Sequence, residues 1–250
     1  GAMKRMSVYD LETETDLSAL RILDDGDLTL QDLQPADALA PMLDRLTPLT
    51  QQHELTIILG GNNAITRPCV HALDRTLQRV GVLTLDAHFD LRDTDCGLTN
   101  GNPIQALLQD GLPGRNIAQI GLLPFANTKK AHDKAKAAGI TVATAAACKA
   151  EGLAGIATQA LALLASRCDV IHVDFDIDVV ERHAMPGAPG ARPGGVAVQD
   201  FFNATRVICA HPKVRSIDLT EFDPSLDVAA ISALTAARWM CEALTGFQQR

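Results

Sequence analysis

Short apolar runs rich in β-branched residues alternate with Ala- and Leu-rich stretches along most of this sequence, and few folds accept that pattern. The runs at 55–59, 80–85, 116–120, 140–142, 170–173 and 214–219 read as strands. The stretches at 64–78, 103–109, 128–138, 153–166, 198–210 and 231–244 read as helices. Strand, loop and helix repeated in this order make βαβ units, and strands apolar on both faces require helices on both sides of a parallel sheet. The expected fold is therefore α/β, a three-layer αβα sandwich with a mainly parallel sheet. With 250 residues, 47% of them hydrophobic, the chain can bury its core as one domain spanning 4–250. Gly1, Ala2 and Met3 read as an expression-tag remnant and are set aside.

The formal net charge of −8, with basic residues scattered, argues against a nucleic-acid partner. No apolar run is long enough to span a bilayer, so no membrane partner is expected. Six widely spaced cysteines without a C-x-x-C pair read as reduced thiols, which suits a cytoplasmic protein.

In an open parallel sheet, ligands bind outside the carboxyl ends of the strands. The residues following each run here are unusually polar. Gly60-Gly61-Asn62-Asn63 follows the first, Asp86-Ala87-His88-Phe89-Asp90 the second, Asp174-Phe175-Asp176-Ile177-Asp178 the fifth and Thr220-Glu221-Phe222-Asp223-Pro224 the sixth. One Asp-x-Asp is commonly a helix cap. Two such clusters at one sheet edge, with at least five carboxylates and an imidazole, repel one another by several kcal/mol unless a cation sits among them. A pair of divalent ions is the economical explanation, and carboxylates with one His suit Mn²⁺. Two such ions activate water for hydrolysis without a covalent intermediate, in keeping with the absence of a G-x-S-x-G nucleophile elbow. The segment 186–195, ten residues with three Pro and four Gly, is the longest irregular connection and is expected to shape the mouth of a site.

These segments resemble the arginase, agmatinase and formimidoylglutamase (ureohydrolase) family. Asp86 to Asp90 looks like its D-A-H-x-D motif, Asp176-Ile177-Asp178 its later D-x-D, and Gly60 to Ala64 its G-G-D-H-S element. Glu221 resembles the late-strand Glu that grips amidine nitrogens. The resemblance implies that Asp86, Asp90 and Asp176 hold one Mn²⁺, and that Asp86, His88, Asp176 and Asp178 hold a second. Because Asp174, Asp176 and Asp178 alternate on one strand face, their register stays open on spacing alone. Glu181 falls at the family's third acid when Asp176 and Asp178 are the ligands, which leaves Asp174 behind them. A trimer or hexamer is implied as well.

Two departures stand out. The family's metal-binding His is Asn63 here, an amide and so a weaker ligand. Where arginases place a proton-shuttling His, the Thr99-Asn100-Gly101-Asn102-Pro103 segment has Asn100, which cannot carry a proton near neutral pH. Formimidoylglutamases also lack that His. Arg92, in the D-A-H-x-D-L-R form similar to formimidoylglutamases, is expected to hold a substrate carboxylate. Asn127, in an Ala126-Asn127-Thr128 stretch also similar to theirs, is expected with Asn100 and Asn102 to contact substrate, the bland role for Asn127 being a helix cap. The imidazole of His172, inside an apolar run, is expected to be a satisfied core group.

The sequence thus reads as a binuclear-metal hydrolase acting on N-formimidoyl-L-glutamate, with Asp90, Glu221 and Asn100 at the reacting centre. Agmatinase-type or guanidino-acid-type urea release is the neighbouring reading. The joint presence of Asn63 and Asn100 motivates a reading from another class, a catalytically impaired member serving as a ligand binder or structural subunit.

Overall fold

A computed structural model describes residues 1–250. A small hairpin, β1 (Tyr9–Asp10) with β2 (Thr15–Asp16), precedes the main body. The other strands are β3 (Thr56–Leu59), β4 (Val80–Leu85), β5 (Ile117–Leu122), β6 (Thr141–Thr144), β7 (Val170–Asp176) and β8 (Val214–Thr220). They form one six-stranded sheet in the order β3-β8-β7-β4-β5-β6. Every pairing in it is parallel, so all strands end at the same edge. The helices are α1 (Leu39–Gln52), α2 (Thr66–Leu73), α3 (Pro103–Asp110), α4 (Lys129–Ala138), α5 (Ala145–Glu151), α6 (Leu153–Ala165), α7 (Val198–Ala210) and α8 (Ile231–Gln248).

Strand periodicity divides the core between the two faces. Leu83, Leu85, Ile171, Val173, Phe175 and Ile217 pack with residues of α6, α7 and α8 around Trp239. On the opposite face, Val80 and Val82 meet Val70 of α2, Ile104 and Leu107 of α3 and Ala135 of α4. Strand β7 is buried on both sides yet chemically two-faced. Its odd residues are apolar, whereas His172, Asp174 and Asp176 look toward the α2 side. Neighbouring strands continue this polar face, with Thr84 and Asp218 in register with Asp174, and Thr220 with Asp176.

Several elements differ from the sequence expectation. Helix α1 was not among the expected helices and carries Pro48 in its interior. The helix expected over 64–78 is a 3-10 turn, Asn63–Ile65, followed by α2, which stops at Leu73. The Asp74 carboxylate accepts the Thr76 and Arg79 amides and turns the chain. Strand β7 runs three residues beyond Val173, so Asp174 and Asp176 belong to the strand itself. No helix is long and apolar enough to cross a membrane.

Candidate metal centre

The carboxyl edge of β4, β7 and β8 gathers the acids. From the end of β4 the chain leaves the sheet as the loop Asp86 to Asp90. Donor atoms of Asp86, His88 and Asp178 lie within 4.8 Å of one another, as do those of Asp86, Asp90 and Asp176, so the two groups share Asp86. The His88 Nδ1 lies 3.0 Å from Asp178 and 3.5 Å from Asp86. All four carboxylates are buried, and none pairs with a Lys or Arg.

Electrostatics make this arrangement costly when it is empty of cations. Burial, together with Asp178, pushes Asp86 up to about 7, against the pull of His88. Burial also holds Asp90 and Asp176 well above the carboxylate range, with Asp86 adding to the first and Asp178 to the second. Burial disfavours the His88 imidazolium, but its bonds to Asp178 and Asp86 prevail and raise it to about 11. The Asp86 Oδ2 is buried with no hydrogen-bond partner. An orphaned buried oxygen, oxygen-dominated donors and one imidazole fit a hard-to-borderline divalent cation such as Mn²⁺.

A pH dependence arises from Asp86. Its folded value near 7 exceeds the ordinary 3.8, so folding binds a proton in that window. The associated stability is fully present below about pH 4 and lost as pH rises to about 7. Metal-free protein is therefore expected to melt at a lower temperature at pH 7.5 than at pH 5, and Mn²⁺ to reverse the loss. Thermal scans with chelator and with Mn²⁺ check this.

The other residues singled out in the sequence fall into distinct places. Asn63 is buried, but its amide nitrogen donates to Asp90 at 2.6 Å while its oxygen accepts from Thr66 and Thr220. In this geometry the Asn63 side-chain oxygen is turned to two hydroxyls and its nitrogen steadies Asp90. Glu221, in a left-handed conformation at φ +61, accepts the Asn63 backbone N–H at 2.8 Å and the Asn100 amide at 3.1 Å, both on Oε1. Asn100 thus orients Glu221. Asp90 has φ +52, and such strain at two acids is the kind that surrounding structure maintains at functional sites.

Asn102 and Asn127 both bond to the backbone around them. The Asn102 side chain is buried and spent on the loop around it, with Oδ1 on the Thr99 N–H and Nδ2 on the Asp93 and Gly97 carbonyls. The Asn127 side chain is likewise bonded to backbone groups, the Phe89 N–H and the Ala87 and Leu123 carbonyls. Arg92 forms no ion pair and lies over Gly101, beside Asn100. Glu181 accepts the Gly194 N–H and faces Lys149, outside both donor groups. Asp174 also stays outside them, fully buried beneath the cluster beside Asp218.

One contributor was not recognised in the sequence. A Cβ on Gly190 would lie 1.9 Å from Asp178 Oδ2, so the 186–195 loop touches the centre through a residue with no side chain. Its only sequence signal was the density of Gly and Pro. A third group, Cys69, His172 and Asp218, lies in the core. There the His172 ring is satisfied by Ser216 at 2.8 Å and Asp218 at 3.1 Å.

An all-parallel α/β sheet bearing carboxylates and one imidazole at its carboxyl edge defines a metal-dependent hydrolase architecture. The sequence profile described as the Arginase family matches residues 1–246. The chain belongs to the arginase family. It is 32% identical over 244 residues to the formimidoylglutamase of Halalkalibacterium halodurans, covering 96% of this chain and 76% of that one. The formimidoylglutamase of Bacillus subtilis is 28% identical over 251 residues, covering 99% and 79%. The crystal structure of formimidoylglutamase from Bacillus subtilis superposes with a TM-score of 0.92 at 27% identity, covering 99% of this chain and 80% of that one. The Trypanosoma cruzi formiminoglutamase crystallised with Mn²⁺ shares the fold at a TM-score of 0.89 and 22% identity, covering 98% and 81%.

Proposed function

We propose that this protein hydrolyses N-formimidoyl-L-glutamate to L-glutamate and formamide with two Mn²⁺ ions. The observation that carries the hydrolytic reading is the pair of donor groups joined at Asp86, whose second oxygen has no protein partner. Asp86, Asp90 and Asp176 would hold one ion; Asp86, His88, Asp176 and Asp178 the other. Bound there, the ions would supply a water of lowered pKa as the nucleophile.

The remaining chemistry belongs to side chains of this protein. Glu221 Oε1 is fixed by Asn63 and Asn100, which leaves Oε2 for the amidine N–H groups that gain positive charge as the carbon is attacked. Asp90, steadied by Asn63, would take up a proton released from water. Arg92 is the rim cation for a glutamate carboxylate, since it has no carboxylate of its own. The names of the relatives support the formimidoyl substrate. Two amides stand at positions 63 and 100, and both have defined work on Asp90 and Glu221, which favours an enzyme over an impaired binder.

The test is product analysis with Mn²⁺-loaded protein. Glutamate and formamide are expected from formimidoylglutamate, and no urea from arginine, agmatine or guanidinobutyrate; the reverse pattern would overturn the assignment. Arg92→Ala is expected to raise KM about 10–100-fold with little change in kcat, because a charge-assisted bond to a carboxylate is worth about 1.5–3 kcal/mol. Steady-state kinetics of the variant check this.

A further inference from the structure

We propose that Asn127 is a positioning residue for the metal-binding loop, acting through the two peptide groups that flank His88. The inference rests on the metal reading of the loop and is independent of the substrate. The loop from Asp86 to Asp90 carries three of the donor side chains and has no helical or strand bonds of its own. It is held from outside. Asn127 Oδ1 accepts the Phe89 N–H at 2.9 Å, while Nδ2 donates to the Ala87 carbonyl at 2.8 Å and to the Leu123 carbonyl at 3.3 Å. A single planar amide therefore bridges the residues before and after His88 and fixes the direction in which its Cβ leaves the chain.

Of the two contacts, the Phe89 N–H is left to Asn127 alone and the Ala87 carbonyl is shared. The Leu123 N–H also reaches Ala87 O at 3.0 Å, and Gln119 donates to Phe89 O at 3.1 Å. No other group takes the Phe89 N–H. A carboxylate at this position would keep that acceptor but set a negative oxygen against the Ala87 and Leu123 carbonyls. Only an amide of this length supplies both halves of the bridge. Thr128, the next residue, accepts the Ala131 N–H and caps α4, so the capping role expected at Asn127 is filled by its neighbour.

The experiment is a Mn²⁺ binding isotherm, reading free ion by electron paramagnetic resonance, on the full chain and its Asn127→Ala and Asn127→Asp variants. Both variants are expected to bind Mn²⁺ about 10–100-fold more weakly, the range for losing a partner that orients a ligand. Saturating Mn²⁺ is expected to restore most of kcat with KM unchanged. Hydrogen exchange of the metal-free protein is expected to show faster exchange in the peptide containing Phe89, with the remaining strands as protected as before. Mn²⁺ affinity within twofold of the parent in the isosteric Asn127→Asp variant would overturn the proposal. So would a lowered kcat at saturating Mn²⁺ with unchanged affinity, which is the mark of a direct contact with substrate. If the parent chain itself takes up no Mn²⁺, the metal reading fails and this inference falls with it.

Discussion

The Asp86→Asn protein is expected to be more stable than its parent when both are free of metal, and to be almost inactive when both are supplied with it. The two effects share one cause. Asp86 stands in both donor groups, and in the empty site its charge is opposed by burial and by Asp178. Removing that charge above pH 7 relieves a cost on the order of a few kcal/mol, because each unit of displacement corresponds to about 1.4 kcal/mol. The same substitution deprives both ion positions of a shared anionic oxygen. Turnover is expected to fall by about a thousandfold or more, as when a preorganised electrostatic element is deleted. Chelator-treated melting curves and Mn²⁺-supplemented turnover measure the two halves. A less stable but active variant would mean that the crowd of acids is not arranged for cations.

Gly190→Ala is the second large effect, and it comes from a residue with no chemistry of its own. The added methyl would lie 1.9 Å from Asp178 Oδ2 and 2.9 Å from its Cγ. The side chain of Asp178 must turn away, and its contacts with the Ala87 N–H at 3.2 Å and with His88 at 3.0 Å go with it. Mn²⁺ affinity is expected to drop about 10–100-fold, with kcat falling about 10²-fold. Gly194 provides the contrast. At φ +97 a side chain is strained there, yet the nearest atom to an added Cβ is Leu123 Cδ2 at 3.9 Å. Gly194→Ala is therefore expected to cost about 1–2 kcal/mol of stability and to leave Mn²⁺ affinity unchanged. Parallel isotherms and denaturant titrations separate the two glycines.

The sheet was legible because its strands obey a simple rule. Segment 80–85 is apolar on both faces and coincides with β4, and the helix over 198–210 coincides with α7, as its apolar spacing dictated. Helix α1 was hidden because proline propensity speaks against it while tertiary packing of Met42, Leu43 and Leu46 speaks for it. Acid convergence was legible for a topological reason: in an all-parallel sheet, the residues just past the carboxyl end of every strand land on one edge. The orientation of single amides was not. Asn63 turns its oxygen to Thr66 and Thr220, the second of which is 157 positions away, so a residue that replaces a ligand in the motif becomes a hydrogen-bond donor in the fold. The backbone bonds of Asn102 and Asn127 were hidden for the same reason, since an amide near a site serves backbone or substrate equally well until its neighbours are known. Gly190 left no chemical signature, because its contribution is the absence of a side chain.

One titration goes straight to the central claim. Metal-free protein is titrated with Mn²⁺ at pH 8 while the free ion is followed by electron paramagnetic resonance, with Asp86→Asn in parallel. The account predicts saturable uptake of two ions per chain by the parent and a loss of most of that uptake in the variant. Equal uptake by both proteins, or none by the parent, would contradict it.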